Sequence, residues 1–251
     1  MLKLSIVIPT KNEAPMLPLL LDSIKAQTFK EYEVIVADAH STDTTRQIAE
    51  AFGARVVDGG MPGPGRNAGA HAAVGEVILF LDADVQLASV RFLEALISEM
   101  DRKKLDVATC RVKPLSRKPI DRALHEVYNA FAVATEKILP HAPGFCIFIR
   151  REAHEKIQGF DETVVFAEDH EYVQRAQKFG YRFGVLRSYP IAVSVRRLEK
   201  EGRLMLAFKY IYGEVHMLTK GKFHEQPFEY RMGGEDVDGT DTLDALKDRQ
   251  G

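Results

Sequence analysis

The sequence is poor in cysteine and in net charge. Its two cysteines, Cys110 and Cys146, cannot form a disulfide framework in a chain of 251 residues, and so few cysteines are typical of a reducing compartment. We expect both to be small buried apolar side chains. The formal net charge of -2 provides no broad basic field of the kind that nonspecific binding to DNA or RNA requires. We therefore expect no nucleic-acid partner.

Long apolar runs are also missing. No stretch reaches the roughly 18 uncharged apolar residues that a membrane-spanning helix needs. The apolar run within residues 1–9 is too short for a secretory leader and has no small-residue cleavage site, so it predicts a first strand instead. We therefore expect a cytoplasmic protein whose contact with the inner face of a membrane, if any, is peripheral.

Short β-branched runs alternate with helical patterns through the first half of the chain. The strand patterns cover residues 4–8, 33–37, 55–57 and 77–81, and the helical patterns cover residues 16–27, 42–52, 66–73 and 90–103. This alternation predicts an α/β fold with a Rossmann-like, mostly parallel central sheet flanked by helices. Ligands of such sheets bind beyond the carboxyl ends of the strands, where this sequence carries polar residues.

Two carboxylates, Asp82 and Asp84, directly follow the apolar run at 77–81. Hard oxygen ligands bind Mg²⁺ or Mn²⁺, and such a cation neutralises the charge that develops on a departing diphosphate. Gln86 could add an amide oxygen if the chain stays extended. An Asp-x-Asp pair is also typical of a solvated turn, and its position after a buried strand is what favours a metal site.

Polar residues at the first two strand ends are candidate nucleotide contacts. Asp38 could accept N–H groups of a pyrimidine or of guanine, or it could close its own loop as an Asx turn. Thr10 and Glu13 have the same ambiguity, because a helix could begin at Pro15. Residues 59–65, rich in glycine and proline, do not match the spacing of a dinucleotide-binding loop. We interpret them as a loop lining the nucleotide pocket, with Arg66 near it.

An acidic pair, Glu168 and Asp169, opens the helical pattern that runs to Phe179. Stabilisation by the helix dipole alone would favour acidic residues in a first turn. The functional alternative is that one of the two carboxylates removes the proton of an attacking hydroxyl group.

Taken in order along the chain, these motifs resemble the family 2 glycosyltransferases. The matching segments are residues 5–13 (SIVIPTKNE), 34–43 (VIVADAHSTD), 66–69 (RNAG), 79–84 (LFLDAD) and 159–162 (GFDE), followed by the pair at 168–169. The resemblance covers roughly residues 3–195. It implies a GT-A fold and inverting transfer of a sugar from a nucleoside diphosphate. The acceptor would be an unknown carbohydrate, a lipid-linked molecule or a small molecule, and the cofactor would be Mn²⁺ or Mg²⁺.

The resemblance also implies residue roles. Asp169 would be the catalytic base, Asp84 the chief metal ligand with Asp82 and Gln86 beside it. The predicted donor-binding residues are Pro9, Thr10, Glu13, Asp38, Arg66, Asp82 and Arg196. Among these, Asp38 would contact the base, and Arg196 could clamp the diphosphate or be plain surface charge. The sequence departs from the family pattern at Ala39-His40, where Asp-Gly is more usual.

The predicted division of the chain follows from a change of pattern at Asp106. After it the sequence predicts a strand, a long helix over about residues 121–139, a second strand over residues 145–149 and two more short strands near Phe183 and Val193. Residues 1–105 would bind the nucleotide sugar, and residues 106–195 would form the acceptor half of the same domain. Residues 196–222 contain seven basic and three acidic residues, a net charge of +4, whereas residues 223–251 contain three and eight, a net charge of -5. We expect a basic helical region over residues 196–232 and a poorly ordered acidic tail over residues 233–251.

Apolar residues recur at helical spacing within that basic region. They are Leu204, Phe208, Ile211, Val215 and Leu218. The spacing predicts an amphipathic helix over residues 203–219, whose apolar face packs on the domain or, alternatively, docks on a membrane or a lipid-linked acceptor.

Three other functions compete with the glycosyltransferase reading. A haloacid-dehalogenase-like phosphatase would use Asp82 and Asp84, but it places such a pair on its first strand and continues with Gly-Thr, whereas Val85-Gln86 stands here. A nucleotidyltransferase of related fold needs a glycine-rich arginine loop after the first strand. A non-catalytic nucleotide-binding module remains open, although Asp169 argues against it.

Overall fold

The computed structural model describes residues 3–60, 62–203, 205, 208, 209, 212, 213, 216, 219, 221–225 and 227. The strands are β1 (Leu4–Thr10), β2 (Tyr32–Asp38), β3 (Arg55–Asp58), β4 (Val77–Leu81), β5 (Val85–Leu87), β6 (Val107–Pro114), β7 (Cys146–Arg150) and β8 (Phe183–Val193). The helices are α1 (Leu17–Lys25), α2 (Thr45–Phe52), α3 (Pro62–Ala72), α4 (Phe92–Lys103), α5 (Pro119–Thr135), α6 (Arg151–Lys156), α7 (Glu168–Lys178) and α8 (Arg196–Glu201).

All eight strands belong to one sheet in the order β3-β2-β1-β4-β7-β6-β8-β5. The first four strands pair in parallel, as the alternating sequence pattern predicts. Strand β7 runs antiparallel to both β4 and β6, and β5 runs antiparallel to β8. The sheet is therefore parallel in its first half and mixed in its second, and the two predicted halves share it.

Helices cover both faces of the sheet because the central strands are buried on both sides. Every residue of β1 and of β4 is buried. On β1, Ile6 and Ile8 pack toward Leu20 and Leu96, on α1 and α4. Val7, between them, packs on the other face with α3, α6 and α7. This alternation follows from the period of two residues along a strand.

The structure corrects three local predictions. The Gly-Pro segment 62–65 is the first turn of α3 and not a loop, because proline is tolerated where a helix has no N–H partner to lose. Helix α2 begins at Thr45 and not at residue 42. The two short strands expected near Phe183 and Val193 are one continuous strand, β8. The cysteines, in contrast, are buried and reduced as expected.

The region after α8 is described in part. Positions 203, 205, 208, 209, 212, 213, 216 and 219 are helical. The side chain of Phe208 is 57% exposed, and the packing of the predicted apolar face on the domain stays a prediction. The other four members of the predicted apolar face, and residues 233–251, lie outside the described residues. Within the part of the chain that the structure describes, no helix is both long enough and apolar enough to cross a bilayer.

Helix α3 lies unusually close to β1 at Gly69. A Cβ atom at Gly69 would lie 2.3 Å from Val7 Cγ1, well inside van der Waals contact. Only a residue without a side chain allows this approach, and the approach sets the position of everything that α3 carries.

We expect Gly69→Ala to lower the free energy of unfolding by about 1–3 kcal/mol, because the new methyl group forces α3 away from β1. Adding Val7→Ala removes the clashing methyl groups. The double variant should therefore lose less free energy of unfolding than the two single variants lose in total. Urea unfolding of all four proteins measures this coupling. Simple additivity would contradict the close approach.

Candidate active site

The carboxyl ends of β1 and β2 bring two predicted nucleotide contacts together. Thr10 lies opposite Asp38 in the parallel register, and both are fully buried. The carboxylate of Asp38 accepts hydrogen bonds from Thr10 Oγ1 at 3.1 Å, from the Ser41 backbone N–H at 3.0 Å and from Ser41 Oγ at 2.5 Å. Asp38 thus closes its own loop, as one of the two readings of the sequence expected. Its contact with a base stays a prediction.

The departure from the family pattern at position 40 has a conformational counterpart. His40 adopts a φ of 56°, in the left-handed region that glycine occupies without steric cost. The backbone therefore keeps the conformation that glycine would favour here, although the residue is histidine.

The guanidinium group of Arg66 joins two parts of the site. Its Nη2 donates to Asp82 Oδ1 at 3.0 Å and its Nη1 donates to Glu168 Oε1 at 2.9 Å. The side chain of Arg66 is only 3% exposed and lies over the ring of Phe160 at 5.4 Å. Burial alone would lower the pKa of Arg66, but the neighbouring carboxylates hold it above its usual value, so the cation is permanent. Arg66 therefore ties the end of β4 to the start of α7.

The predicted base, Asp169, is held by a backbone group that the sequence analysis missed. Asp169 Oδ2 accepts a hydrogen bond from the N–H of Gly144 at 2.7 Å. A Cβ atom at Gly144 would lie 2.3 Å from Arg66 Nη2, so a side chain here would displace the guanidinium group. The Pro143-Gly144 dipeptide was the available signal, since it is typical of a turn.

Asn67 links two of the sequence motifs, a role that the sequence analysis also missed. Its amide Nδ2 donates to Phe160 O at 2.9 Å and to Glu162 Oε1 at 2.9 Å, while its Oδ1 accepts from the Phe160 N–H at 2.8 Å. Asn67 thus fixes the segment at 159–162 against α3, next to the helix turn that carries Arg66.

A second arginine, Arg196, contacts the other carboxylates of the site. Its Nη2 lies 3.0 Å from Asp84 Oδ2 and 3.2 Å from Glu13 Oε2. Burial raises the pKa of Glu13 to about 7, Arg196 opposes this, and the nearby Asp84 carboxylate adds to it. Arg196, the predicted diphosphate clamp, therefore pairs with Asp84, a predicted metal ligand, in this structure.

The residues predicted to hold a metal ion have suitable chemistry. Burial raises the pKa of Asp82, Arg66 opposes this, and the nearby Asp84 carboxylate adds to the rise, so the two carboxyl groups lie close enough to interact. Gln86 lies on β5, opposite Ala192 of β8. Among the described residues no group of three or more His, Cys, Asp or Glu side chains could hold a metal ion by itself. Mg²⁺ and Mn²⁺ accept such incomplete sets, because substrate phosphates and water complete them. The donor set fits a divalent cation on these terms.

Comparison with known proteins identifies the family. The sequence model of the family described as Glycosyl transferase family 2 matches residues 5–158, more than half of the chain. The chain belongs to glycosyl transferase family 2. The resemblance carried by the sequence motifs is therefore confirmed.

Curated family 2 relatives are similar over much of this chain. Poly(ribitol-phosphate) beta-N-acetylglucosaminyltransferase TarS from Staphylococcus aureus is 26% identical over 197 residues, covering 74% of this chain and 34% of TarS. Amylovoran biosynthesis glycosyltransferase AmsB from Erwinia amylovora is 27% identical over 214 residues, covering 75% of this chain and 68% of AmsB. The chain thus spans about a third of the length of TarS.

Solved structures of two glycosyltransferases share the fold. TarS 1-349 from S. aureus in complex with UDP-GlcNAc has a TM-score of 0.63 and 24% identity, covering 77% of this chain and 59% of TarS 1-349. The mannosyltransferase PcManGT from Pyrobaculum calidifontis in complex with GDP-Man and Mn²⁺ has a TM-score of 0.66 and 22% identity, covering 82% of this chain and 59% of PcManGT. The expected α/β GT-A fold is confirmed.

An aromatic cluster beneath the site holds helix α7 in place. The rings of Phe160 and Tyr172 stack with centroids 3.9 Å apart, and Phe80 packs edge-on against both. Tyr172 Oη lies 2.6 Å from His154 Nδ1. Burial, and next Arg175, lower the pKa of His154 to about 4. The first turn of α7, with its acidic pair, rests on this cluster.

The neutral form of His154 should make stability depend on pH. The pKa of His154 falls from 6.5 to about 4 on folding. The contribution of neutral His154 to folding stability is therefore fully present above pH 6.5 and is lost as the pH falls toward 4. We expect urea unfolding of His154→Gln to show a flatter pH dependence than wild type across this window. The same change at the exposed His71 is the control. Equal slopes for wild type and His154→Gln would refute the shift.

Removing Arg66 should destabilise the fold strongly. Arg66→Met leaves Asp82 and Glu168 without their shared cation, and we expect a loss of about 3 kcal/mol in the free energy of unfolding. Arg91, which pairs with Glu94 at the surface, gives the control, and Arg91→Met should cost less than about 1 kcal/mol. Urea titration at neutral pH compares them. Equal losses would show that the Arg66 bridge is not a structural centre.

Proposed function

We propose that this chain transfers a sugar from a nucleoside diphosphate sugar to a hydroxyl or phosphate group of an acceptor, with inversion at the anomeric carbon. The contacts of Arg66 carry the proposal, because Arg66 bonds both to Asp82, which we predict to bind the donor, and to Glu168, the neighbour of Asp169. The complexes of the structural neighbours with UDP-GlcNAc and with GDP-Man and Mn²⁺ support this choice of donor class and cofactor.

Asp169 would act as the general base. The N–H of Gly144 holds one of its oxygens, which fixes the direction of the carboxylate. Asp169 would remove the proton of the acceptor hydroxyl while that oxygen attacks the anomeric carbon from the side opposite the diphosphate. A single displacement of this kind inverts the configuration, and a positioned base contributes about 10² to 10⁴ in rate.

Asp84, Asp82 and Gln86 would hold Mn²⁺ or Mg²⁺, and the bound cation would neutralise charge on the departing diphosphate. Arg196 contacts Asp84 and Glu13 in the structure. We propose that its guanidinium group moves to the diphosphate when the donor binds, since arginine pairs well with phosphate oxygens. Glu168, bonded to Arg66, would orient the neighbouring base and not replace it.

The nucleoside would bind at the carboxyl ends of β1 and β2. Pro9, Thr10 and Asp38 lie at this edge, and Glu13 follows it. Because Ser41 and Thr10 already donate to Asp38, a base N–H would replace one of these donors or share the carboxylate with them.

Family 2 membership supports glycosyl transfer over the phosphatase alternative. A phosphatase that used Asp82 and Asp84 would also leave the Asp169–Gly144 contact without a role. A non-catalytic nucleotide-binding module would show binding without turnover.

Release of nucleoside diphosphate from a panel of nucleotide sugars with Mn²⁺ tests the proposal directly. We expect turnover by the wild type, a loss of about 10² or more for Asp169→Asn, and a comparable loss for Asp84→Ala. Asp22, exposed on α1, provides the matched controls Asp22→Asn and Asp22→Ala, which should keep full activity.

Several outcomes would contradict parts of the mechanism. Wild-type turnover by Asp169→Asn would remove the base. Nucleoside diphosphate binding that EDTA does not change would remove the metal role. Retention of anomeric configuration in the product, measured by proton NMR, would overturn the single displacement.

A further inference from the structure

Helix α5 carries an apolar stripe on its outer face. Ile120 (53% exposed), Leu124 (36%), Val127 (69%) and Phe131 (44%) recur at intervals of four, three and four residues, which places them on one side of the helix. Soluble domains usually turn such a stripe inward.

Polar side chains fix the opposite face of α5 against the domain. Asn129 accepts a hydrogen bond from the Val112 N–H at 2.8 Å and donates to Val112 O at 2.9 Å. Asp121 accepts from Arg203 Nε at 2.7 Å and from Ser116 Oγ at 2.7 Å. Both residues are buried. The helix cannot rotate its apolar stripe inward without breaking these bonds, so the outward orientation is built into the fold.

The stripe ends at the candidate active site. The ring of Phe131 packs against His141 with centroids 5.0 Å apart, and His141 packs against His170 at the same distance. His170 directly follows Asp169, the proposed base. A surface bound along α5 would therefore lie next to the acceptor side of the site.

The segment of sequence that contains the stripe is basic. Residues 111–138 contain six basic and three acidic residues, a net charge of +3 in a chain whose total is -2. The acidic residues are engaged by arginines: Asp121 by Arg203, Glu126 by Arg111 and Glu136 by Arg187. Arg122 and Lys137 are exposed. Charge complementarity favours a negatively charged surface.

We propose that the outer face of α5 docks on the surface of a membrane containing anionic phospholipid. An amphipathic helix with an apolar stripe and basic flanks binds such an interface by burying the stripe at the headgroup boundary while lysine and arginine pair with lipid charge. The consequence for the substrate rests on the proposed function: the acceptor is held in the membrane, and the docked helix presents it to Asp169.

Co-sedimentation of the full chain with vesicles tests the docking, with no nucleotide sugar present. We expect the wild type to bind vesicles of phosphatidylcholine with phosphatidylglycerol and to bind pure phosphatidylcholine weakly. The double variant Ile120→Ser with Val127→Ser should bind the anionic vesicles at least about tenfold more weakly than the wild type. Val74 (57% exposed) and Val90 (52%) lie elsewhere on the surface, and changing both to serine should leave binding unchanged.

The charge contribution has its own pair of variants. Arg122→Ser should weaken binding to the anionic vesicles about fivefold, because one basic residue near the surface is lost. Arg102→Ser removes an exposed arginine from α4 and should have no effect. Added salt should reduce binding of the wild type and narrow the gap between these variants.

Three results would overturn the proposal. Wild-type protein that stays in the supernatant with anionic vesicles would do so, as would equal loss of binding in the α5 and control double variants. A self-associating wild type that the α5 variant makes monomeric, without vesicle binding, would assign the stripe to a second copy. Because binding is measured without donor, failure of the transferase assay would leave this result standing, and the reverse also holds.

Discussion

The site depends on one buried cation. Arg66 lies among Asp82, Glu168 and Asp169, and in a region of low polarity these carboxylates would repel one another strongly without it. The guanidinium group has room only because Gly144 has no side chain. Its own position follows from α3, which lies against β1 because Gly69 also has none. The geometry of the proposed chemistry therefore rests on two glycines that carry no chemistry themselves.

Much of the fold was predictable from the sequence because the local periodicity of apolar residues indicates its strands and helices. The alternation of strand and helix patterns predicts the parallel half of the sheet, and the rule that ligands bind at carboxyl strand ends identifies Asp38 and Asp82. The ordered motifs predicted the family, which the comparison confirms. The base, the metal ligands and the division into halves stay predictions.

What the sequence analysis missed depends on contacts between distant positions. Arg66 and Glu168 are 102 positions apart, and no local sequence pattern predicts that their side chains form a hydrogen bond. Gly144 acts through its backbone N–H, and Asn67 acts through its side-chain amide on the backbone of Phe160, so neither residue type indicated catalysis or metal binding. The prediction of a helix near 121–139 is confirmed by α5. Periodicity alone, however, does not show which face of that helix packs against the domain. On α5 the buried Asp121 and Asn129 decide that question.

The contact between Arg196 and Glu13 has a consequence for how the molecule comes into being. The two residues are 183 positions apart, whereas Arg66 and Asp82 are separated by 16. Chains emerge from the ribosome N-terminus first, and folding begins before synthesis ends. The first strands can therefore assemble around Arg66 and Asp82 early. Glu13 and Asp84 remain without their arginine until residue 196 has been made. The charge balance of the pocket is thus completed late in translation, because its last cation follows strand β8 in the chain.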